Sequence, residues 1–460
     1  MSSTTTQATM ETAEYNTDAD VICIGLDLST LAVAVALADE NPGLRFKILE
    51  RHSSFAAHLP NVFGGERVSN TFMRDLVTTS NPRSYFTFIN YLHQKNRLAA
   101  FVNVSSMRPL RLEMNDYLRW VATEVEKLGW ITYDHEVFHI EAETDPLTSK
   151  ATGFVVRSRD TKTGKVETAR SKRITVASNK VPRISRPLSD PTLRSFVCHV
   201  ADIDKETRRT LSSASTVAVV GASSEAARLF RHLQVTRKSR QTTWFVESAV
   251  VRPSDGTAFS RSLVDTPSSR AASYPPELRK RVHRETTNKS HIPLDLVDHL
   301  YESHYDDLSR QIPTELRSSR IVTSAEIVET EIVRTQPRDR VRLLIKNPDT
   351  GEVVKSSQAF DLVVAATGYQ QTDRAPLLSS LSRFTETGEL KVGSYYQVDF
   401  ARAKVSKDCG VWLLGSLGTE EDADELFPHL AEQGERISAS LMALMKTSVK
   451  EDAESFTSMF

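Results

Sequence analysis

The chain has 460 residues, 39% hydrophobic and 25% charged, with 58 Lys and Arg against 59 Asp and Glu. This is an ordinary globular composition, long enough for two or three domains. A net charge of −1 argues against nucleic acid or a membrane surface as partner, and no stretch reads as a transmembrane helix.

Residues 1–18, rich in Ser, Thr, Ala and Glu, lack the basic and apolar regions of a signal peptide and read as a disordered tail. The expected compartment is the cytoplasm. Cys23, Cys198 and Cys409 lie far apart, which suits a reducing compartment and neither a disulfide framework nor a metal site. Cys23 sits in an apolar strand pattern and reads as a small core residue.

The first element is a strand over 20–25 that ends at Gly25, followed by a helix over 28–40 and a second strand over 45–50. An apolar strand, a glycine and a helix form the layout of a dinucleotide-binding βαβ unit. Glu50 ends the second strand, where an acid commonly holds a ribose hydroxyl. The turn reads Gly25-Leu26-Asp27-Leu28. Its second glycine, which would let backbone approach a pyrophosphate, is Asp27. A carboxylate there faces a phosphate at a helix N-terminus, unless Asp27 turns aside and caps the helix.

Helical periodicity follows over 83–96 and over 111–128, the latter through Leu112, Tyr117, Leu118, Trp120 and Val121. Residues 150–177 alternate as strands about a turn at 162–165, and 178–215 form a connection. A second strand–turn–helix unit opens at Val217, with Gly221 and then Ser223 at the second-glycine position. Beyond it come loop over 250–285, an amphipathic helix over 294–310, strands over 319–333 and 340–346, and a buried strand over 361–369. A last helix over 424–445 presents Leu426, Leu430, Ile437, Leu441 and Leu444 on one side.

Two nucleotide-type units, the second nested in the first, resemble the flavin-dependent N-hydroxylating monooxygenases. More narrowly, the chain is similar to the L-ornithine and L-lysine side-chain monooxygenases of siderophore biosynthesis. The resemblance runs from about 20 to 445. Carrying it are Asn81-Pro82-Arg83-Ser84-Tyr85-Phe86-Thr87-Phe88-Ile89-Asn90-Tyr91-Leu92-His93-Gln94-Lys95, Pro109-Leu110-Arg111-Leu112-Glu113, Asp116-Tyr117-Leu118-Arg119-Trp120, Arg252-Pro253-Ser254-Asp255 and Ala365-Ala366-Thr367-Gly368-Tyr369.

The resemblance implies an α/β, two-dinucleotide-binding-domain flavoprotein fold. A Rossmann-like FAD-type domain would span 19–200 and 360–450. An inserted NADPH-type domain would span 210–358, with a helical substrate region near 283–315. It also implies that FAD, reduced by NADPH, hydroxylates the side-chain amine. Gly25, Asp27, Glu50, Gly221, Ser223, Thr367 and Gly368 match the family's cofactor positions. Arg74, Asn288 and Ser69 match its substrate positions. An arginine can hold a carboxylate bidentately. Self-association as a dimer or tetramer is implied as well.

Several segments depart from the family pattern. Besides Asp27, they are Ala57-His58-Leu59-Pro60-Asn61, Ala177-Ser178-Asn179-Lys180 and the acidic run from Leu417 to Glu425 on the flavin side. On the nicotinamide side, Ser223 and Arg228 replace the family's Gly and Glu, and Glu247 stands where an Arg is usual. The favoured expectation is therefore a repurposed, cofactor-independent enzyme of secondary metabolism. It would perform acid/base cyclisation, condensation or isomerisation on an amine- or amino-acid-derived metabolite. Arg74 would orient an anion, with His58, His291 and Asp75 as the other catalytic candidates. FAD stands only in the alternative, an active FAD- and NAD(P)H-dependent N-monooxygenase, and NADPH use is expected to be lost. A second alternative is a catalytically dead regulatory subunit.

Overall fold

The computed structural model describes residues 17–55, 66–68, 70–177, 180–203, 205–236, 240–254, 257, 259, 275, 277–278, 292–336, 338–371, 375–393, 395–415 and 423–457. Its frame is a pair of five-stranded parallel sheets. The first runs in the order Gly410–Leu413, Arg173–Val176, Val21–Ile24, Phe46–Leu49, Ile131–Thr132. Its central strand is apolar throughout because both faces are covered. Val21 and Cys23 enter the cluster that holds the helix Leu28–Glu40. Ile22 and Ile24, pointing the other way, join Phe154, Val156 and Val411.

The helix Leu28–Glu40 has the bounds the sequence suggests, and Asn41 caps its end by donating its N–H to Leu37 O. Across it lies the long helix Ala423–Thr457, which extends past the expected 445. The two approach closely because residue 434 is glycine: a Cβ there would lie 2.5 Å from Ala32 O. Leu430, Ile437 and Leu441 seal the crossing.

The second sheet runs Val197–His199, Leu362–Ala365, Thr216–Val220, Gln241–Phe245, Ser319–Val322. Short strands Lys180–Pro182 and Tyr369–Gln371 pair antiparallel between the two sheets. The stretch 150–177 forms the antiparallel strands Ala151–Asp160 and Val166–Ser171 about the expected turn, and the strand His135–Thr144, which its sequence does not suggest, pairs with the first of them.

Several elements differ from expectation. Thr17–Asp18 leave the supposed tail and pair with Ala169 and Arg170; residues 1–16 lie outside the described set. The helix expected over 83–96 begins only at Phe88, with Thr87 capping it through Asn90 N. Leu112 is 61% exposed, so it adds nothing to the core of the helix Arg111–Lys127. In the helix Leu294–Ser309, Leu296 and Leu300 are buried, whereas Leu294 and Tyr301 face outward. The connection before 216 contains the helix Lys205–Ser213. Most of the expected loop over 250–285 lies outside the described residues.

Candidate nucleotide and substrate sites

The first strand stops at Gly25, held at φ +87° and donating its N–H to Leu49 O at 2.9 Å. That left-handed turn favours glycine. Asp27 then takes an extended conformation, and its Oδ1 accepts from Thr30 N at 2.8 Å. Asp27 is thus the N-cap of the helix, and its charge lies on the helix's positive end. Thr30, at the third-glycine position of the turn, is fully buried and donates its hydroxyl to Gly25 O at 3.0 Å. Beneath it lies Cys23, whose thiol burial pushes up to about 12. It is inert core, as its strand pattern suggests.

Glu50 is buried beside this turn. Its Oε2 accepts from Leu26 N at 2.7 Å. Its Oε1 accepts from His52 N at 2.9 Å and lies 2.5 Å from His52 Nδ1. The acid that suits a ribose therefore also ties the turn to the following strand end. His52 was not a sequence candidate. Its one signal is its place two residues beyond Glu50.

At the second turn Gly221 sits at φ +134°, and an added Cβ would lie 2.2 Å from Ala366 O. No other residue fits. Ser223 Oγ donates to Ala366 O at 2.9 Å and accepts from Ala226 N at 3.2 Å. It caps the helix Ser224–Thr236. Arg228 in that helix is buried, with its Nε 3.9 Å from Glu66 Oε2. It joins the second unit to the chain preceding Arg111, a long-range contact with no local sequence signal. Glu247 is exposed just past the strand Gln241–Phe245.

Thr367 and Gly368 lie where the chain crosses between sheets. The Thr367 hydroxyl donates to Arg183 O, and Gly368, at φ +80°, accepts from Arg183 N at 2.9 Å. Tyr369 meets the His199 ring edge-on at 5.4 Å.

Arg74 is half-buried on a turn whose anchor is its neighbour Asp75. Asp75 Oδ1 accepts from Val77 N at 3.0 Å and Thr78 N at 2.6 Å. Oδ2 accepts from the Thr78 hydroxyl at 2.6 Å and from Phe88 N at 2.7 Å. Burial pushes this carboxyl up, while those four donors pull it down. Tyr117 adds a second tie, accepting from Leu76 N at 3.3 Å and donating to Phe86 O at 3.0 Å. It belongs to an aromatic cluster with Phe88, Tyr91 and Trp120. The segments that carry the resemblance around 81–95 and 116–120 therefore pack behind the Arg74 turn. Of the other candidates, His58, Ser69, Asn288 and His291 lie outside the described residues.

The chain matches the family model described as L-lysine 6-monooxygenase/L-ornithine 5-monooxygenase over residues 17–371. An L-ornithine N(5)-monooxygenase of Ajellomyces capsulatus is 30% identical, over 93% of this chain and 91% of that protein. The ornithine hydroxylase structure from Pseudomonas aeruginosa superposes with a TM-score of 0.80 at 24% identity, covering 93% of this chain and 100% of that one. An ornithine N-hydroxylase from Kutzneria sp. 744, solved with reduced FAD, NADP+ and L-ornithine, gives 0.79 at 24% identity, covering 93% and 99%. The two-dinucleotide-binding-domain α/β fold is as the sequence suggests.

The favoured functional expectation is overturned. Relatives matched along nearly their whole length are N-hydroxylating redox enzymes, against non-redox cyclisation, condensation or isomerisation. The cofactor-independent reading and the expected loss of NADPH use fall with it. The physical reason lies in the turns. Asp27 and Ser223 act as helix caps, and the strand–glycine–helix geometry around each is intact. Among the described residues, no helix is long and apolar enough to cross a membrane.

Proposed function

Because the chain belongs to the L-lysine 6-monooxygenase/L-ornithine 5-monooxygenase family, we propose that it is an FAD- and NAD(P)H-dependent N-hydroxylase. Its substrate would be the side-chain amine of an ornithine-type amino acid. The observation that carries this reading is the pairing of two strand–glycine–helix turns, Gly25 at φ +87° and Gly221 at φ +134°, in a chain matched to such enzymes over 93% of its length.

The residues at the first turn fit a dinucleotide in most respects. Gly25 makes the tight turn, Glu50 stands buried beside it, and the helix N-terminus faces the turn. A carboxylate has about four lone-pair sites, so Glu50 can serve a ribose hydroxyl besides Leu26 and His52. The departures in this turn are Asp27 at the second-glycine position and Thr30 at the third. Gly221 and Ser223 would hold the nicotinamide nucleotide, with Thr367 and Gly368 at the crossing between the two units. Bound flavin, reduced by that nucleotide, supplies the oxygen-transfer chemistry.

This chain's own contribution is binding and orientation. Arg74 would hold the amino-acid carboxylate with a guanidinium fork, on a turn that Asp75 and Tyr117 keep rigid. Fixing that end directs the amine away from the cation. Hydroxylation also needs the amine neutral, because only its free lone pair is nucleophilic. Asn288 and Ser69 complete the substrate set in this proposal, with His58 and His291 as proton carriers. The division in this proposal is 19–200 with 360–450 and an inserted 210–358, except that Val197–His199 and Leu362–Ala365 pair within the second sheet and so belong with the inserted unit. A cytoplasmic dimer or tetramer belongs to the same reading.

The test is amine-dependent NAD(P)H oxidation by FAD-reconstituted protein, with hydroxylamine product measured against ornithine, lysine and simple diamines. Ornithine-stimulated oxidation with matching product supports the proposal. Folded protein that takes up no FAD and oxidises no NAD(P)H in the presence of any amine refutes it.

A further inference from the structure

Two groups at the flavin turn carry negative charge, and they stand in different relations to a pyrophosphate. Glu50 sits to the side, at a strand end, on Leu26 N and His52. Asp27 sits at the helix N-terminus as its cap, with Oδ1 on Thr30 N at 2.8 Å. That N–H is one of the orphan donors of the first helical turn, and the same positive end would attract a phosphate. One anion at a helix N-terminus is stabilising; a second must share the donors and the dipole with a like charge beside it. Glycine at this position would bring neither a side chain nor a charge.

Resting on the N-hydroxylase reading, we propose that Asp27 is a latch on the flavin turn. Its carboxylate competes with the FAD pyrophosphate for the N-terminus of the helix Leu28–Glu40. FAD enters by displacing Asp27 from Thr30, and the flavin is consequently a readily exchanged cofactor in this protein. The rest of the turn stays as it is. Gly25 keeps its left-handed φ of +87°, and Thr30 keeps its hydroxyl on Gly25 O at 3.0 Å. Only the cap moves. The latch also protects the turn, because the Asp27 cap satisfies an N–H that would otherwise need another acceptor.

The experiment is FAD titration of the full chain, followed by flavin fluorescence, for the natural protein, Asp27→Asn and Asp27→Gly. Asparagine keeps an oxygen that can cap but removes the charge; glycine removes both. Thermal melting of each flavin-stripped protein confirms that it is folded. The expected result is at least tenfold tighter FAD binding in Asp27→Asn, about 1.4 kcal/mol, and at least as much in Asp27→Gly. Flavin should be retained through desalting by the variants and lost by the natural protein. Equal affinities in all three proteins would overturn the latch and leave the N-hydroxylase reading standing. Folded proteins of which none takes up FAD would overturn that reading and the latch with it.

Discussion

Replacing Asp75 by asparagine separates a structural carboxylate from a chemical one. The side chain receives four donors: Val77 N, Thr78 N, the Thr78 hydroxyl and Phe88 N, at 2.6 to 3.0 Å. Asparagine keeps the shape but turns one oxygen into a donor. Two of the four bonds are then lost, and the donors that made them are left facing an N–H. Hydrogen bonds to a charged group contribute about 1.5–3 kcal/mol each, so the loss is roughly 3–6 kcal/mol. Burial outweighs these donors and leaves this carboxyl raised, so removing the charge returns a large part of that loss. The lower end, about 3 kcal/mol, is the expected value. It is a large share of a stability of about 5–15 kcal/mol. Thermal melting and urea unfolding should both register it, and KM for the amino acid should rise through displacement of Arg74. A variant that melts like the natural protein yet turns over none of the amino acid would refute this reasoning and make Asp75 a reacting group.

Gly221→Ala should destabilise by roughly 3 kcal/mol, from left-handed strain of about 1–2 and overpacking of about 1–3; an unchanged melting midpoint would contradict the 2.2 Å approach to Ala366 O. Gly434→Val should prise the Ala423–Thr457 helix from Ala32, where even a Cβ comes within 2.5 Å of backbone. It is expected to lower the melting temperature and raise hydrogen exchange in the Leu28–Glu40 helix, and protection equal to the natural protein's would count against that crossing. Asp361 is buried, which raises its carboxyl, but the N–H groups of Thr216 and Ser215 and the Arg340 and Arg338 guanidiniums hold it below its usual value. A depressed folded value gives stability that is present above the unfolded value near pH 4 and lost as pH falls through the folded one. Asp361→Asn should therefore be less stable at neutral pH yet lose less on acidification below about pH 4, and parallel acid-unfolding curves would refute this.

Local chemistry explains which parts were legible from sequence alone. Continuous apolar runs ending in glycine announce buried parallel strands, and both turns stand where Gly25 and Gly221 put them. Capping by Asp27 was open to a sequence reading because Asp is a good N-cap wherever it precedes a helix. Periodicity alone does not say how wide a helix face is covered, so Leu112 and Tyr301 read as core and lie outside it. The Arg228–Glu66 ion pair and the Phe88 N–H on Asp75 depend on chain segments brought together by the fold, whereas the other donors on Asp75 come from nearby Val77 and Thr78. The functional expectation failed for a related reason. The altered turn residues suggest lost phosphate contacts, yet each side chain also closes the end of the helix it begins.

The order of the first sheet has a consequence for how the chain is made. Arg173–Val176 pairs on one side with Val21–Ile24, and on the other with Gly410–Leu413. The ribosome therefore delivers one neighbour early and the other more than two hundred residues later. At roughly 10 residues per second that interval is on the order of 20 s. Throughout it, one edge of the strand offers unpaired N–H and C=O groups to any passing extended segment. The intervening second sheet draws its strands from 197–365 and is complete before residue 410 emerges. Nascent chains halted between those two points should be captured by holdase chaperones, and chains carried past residue 457 released.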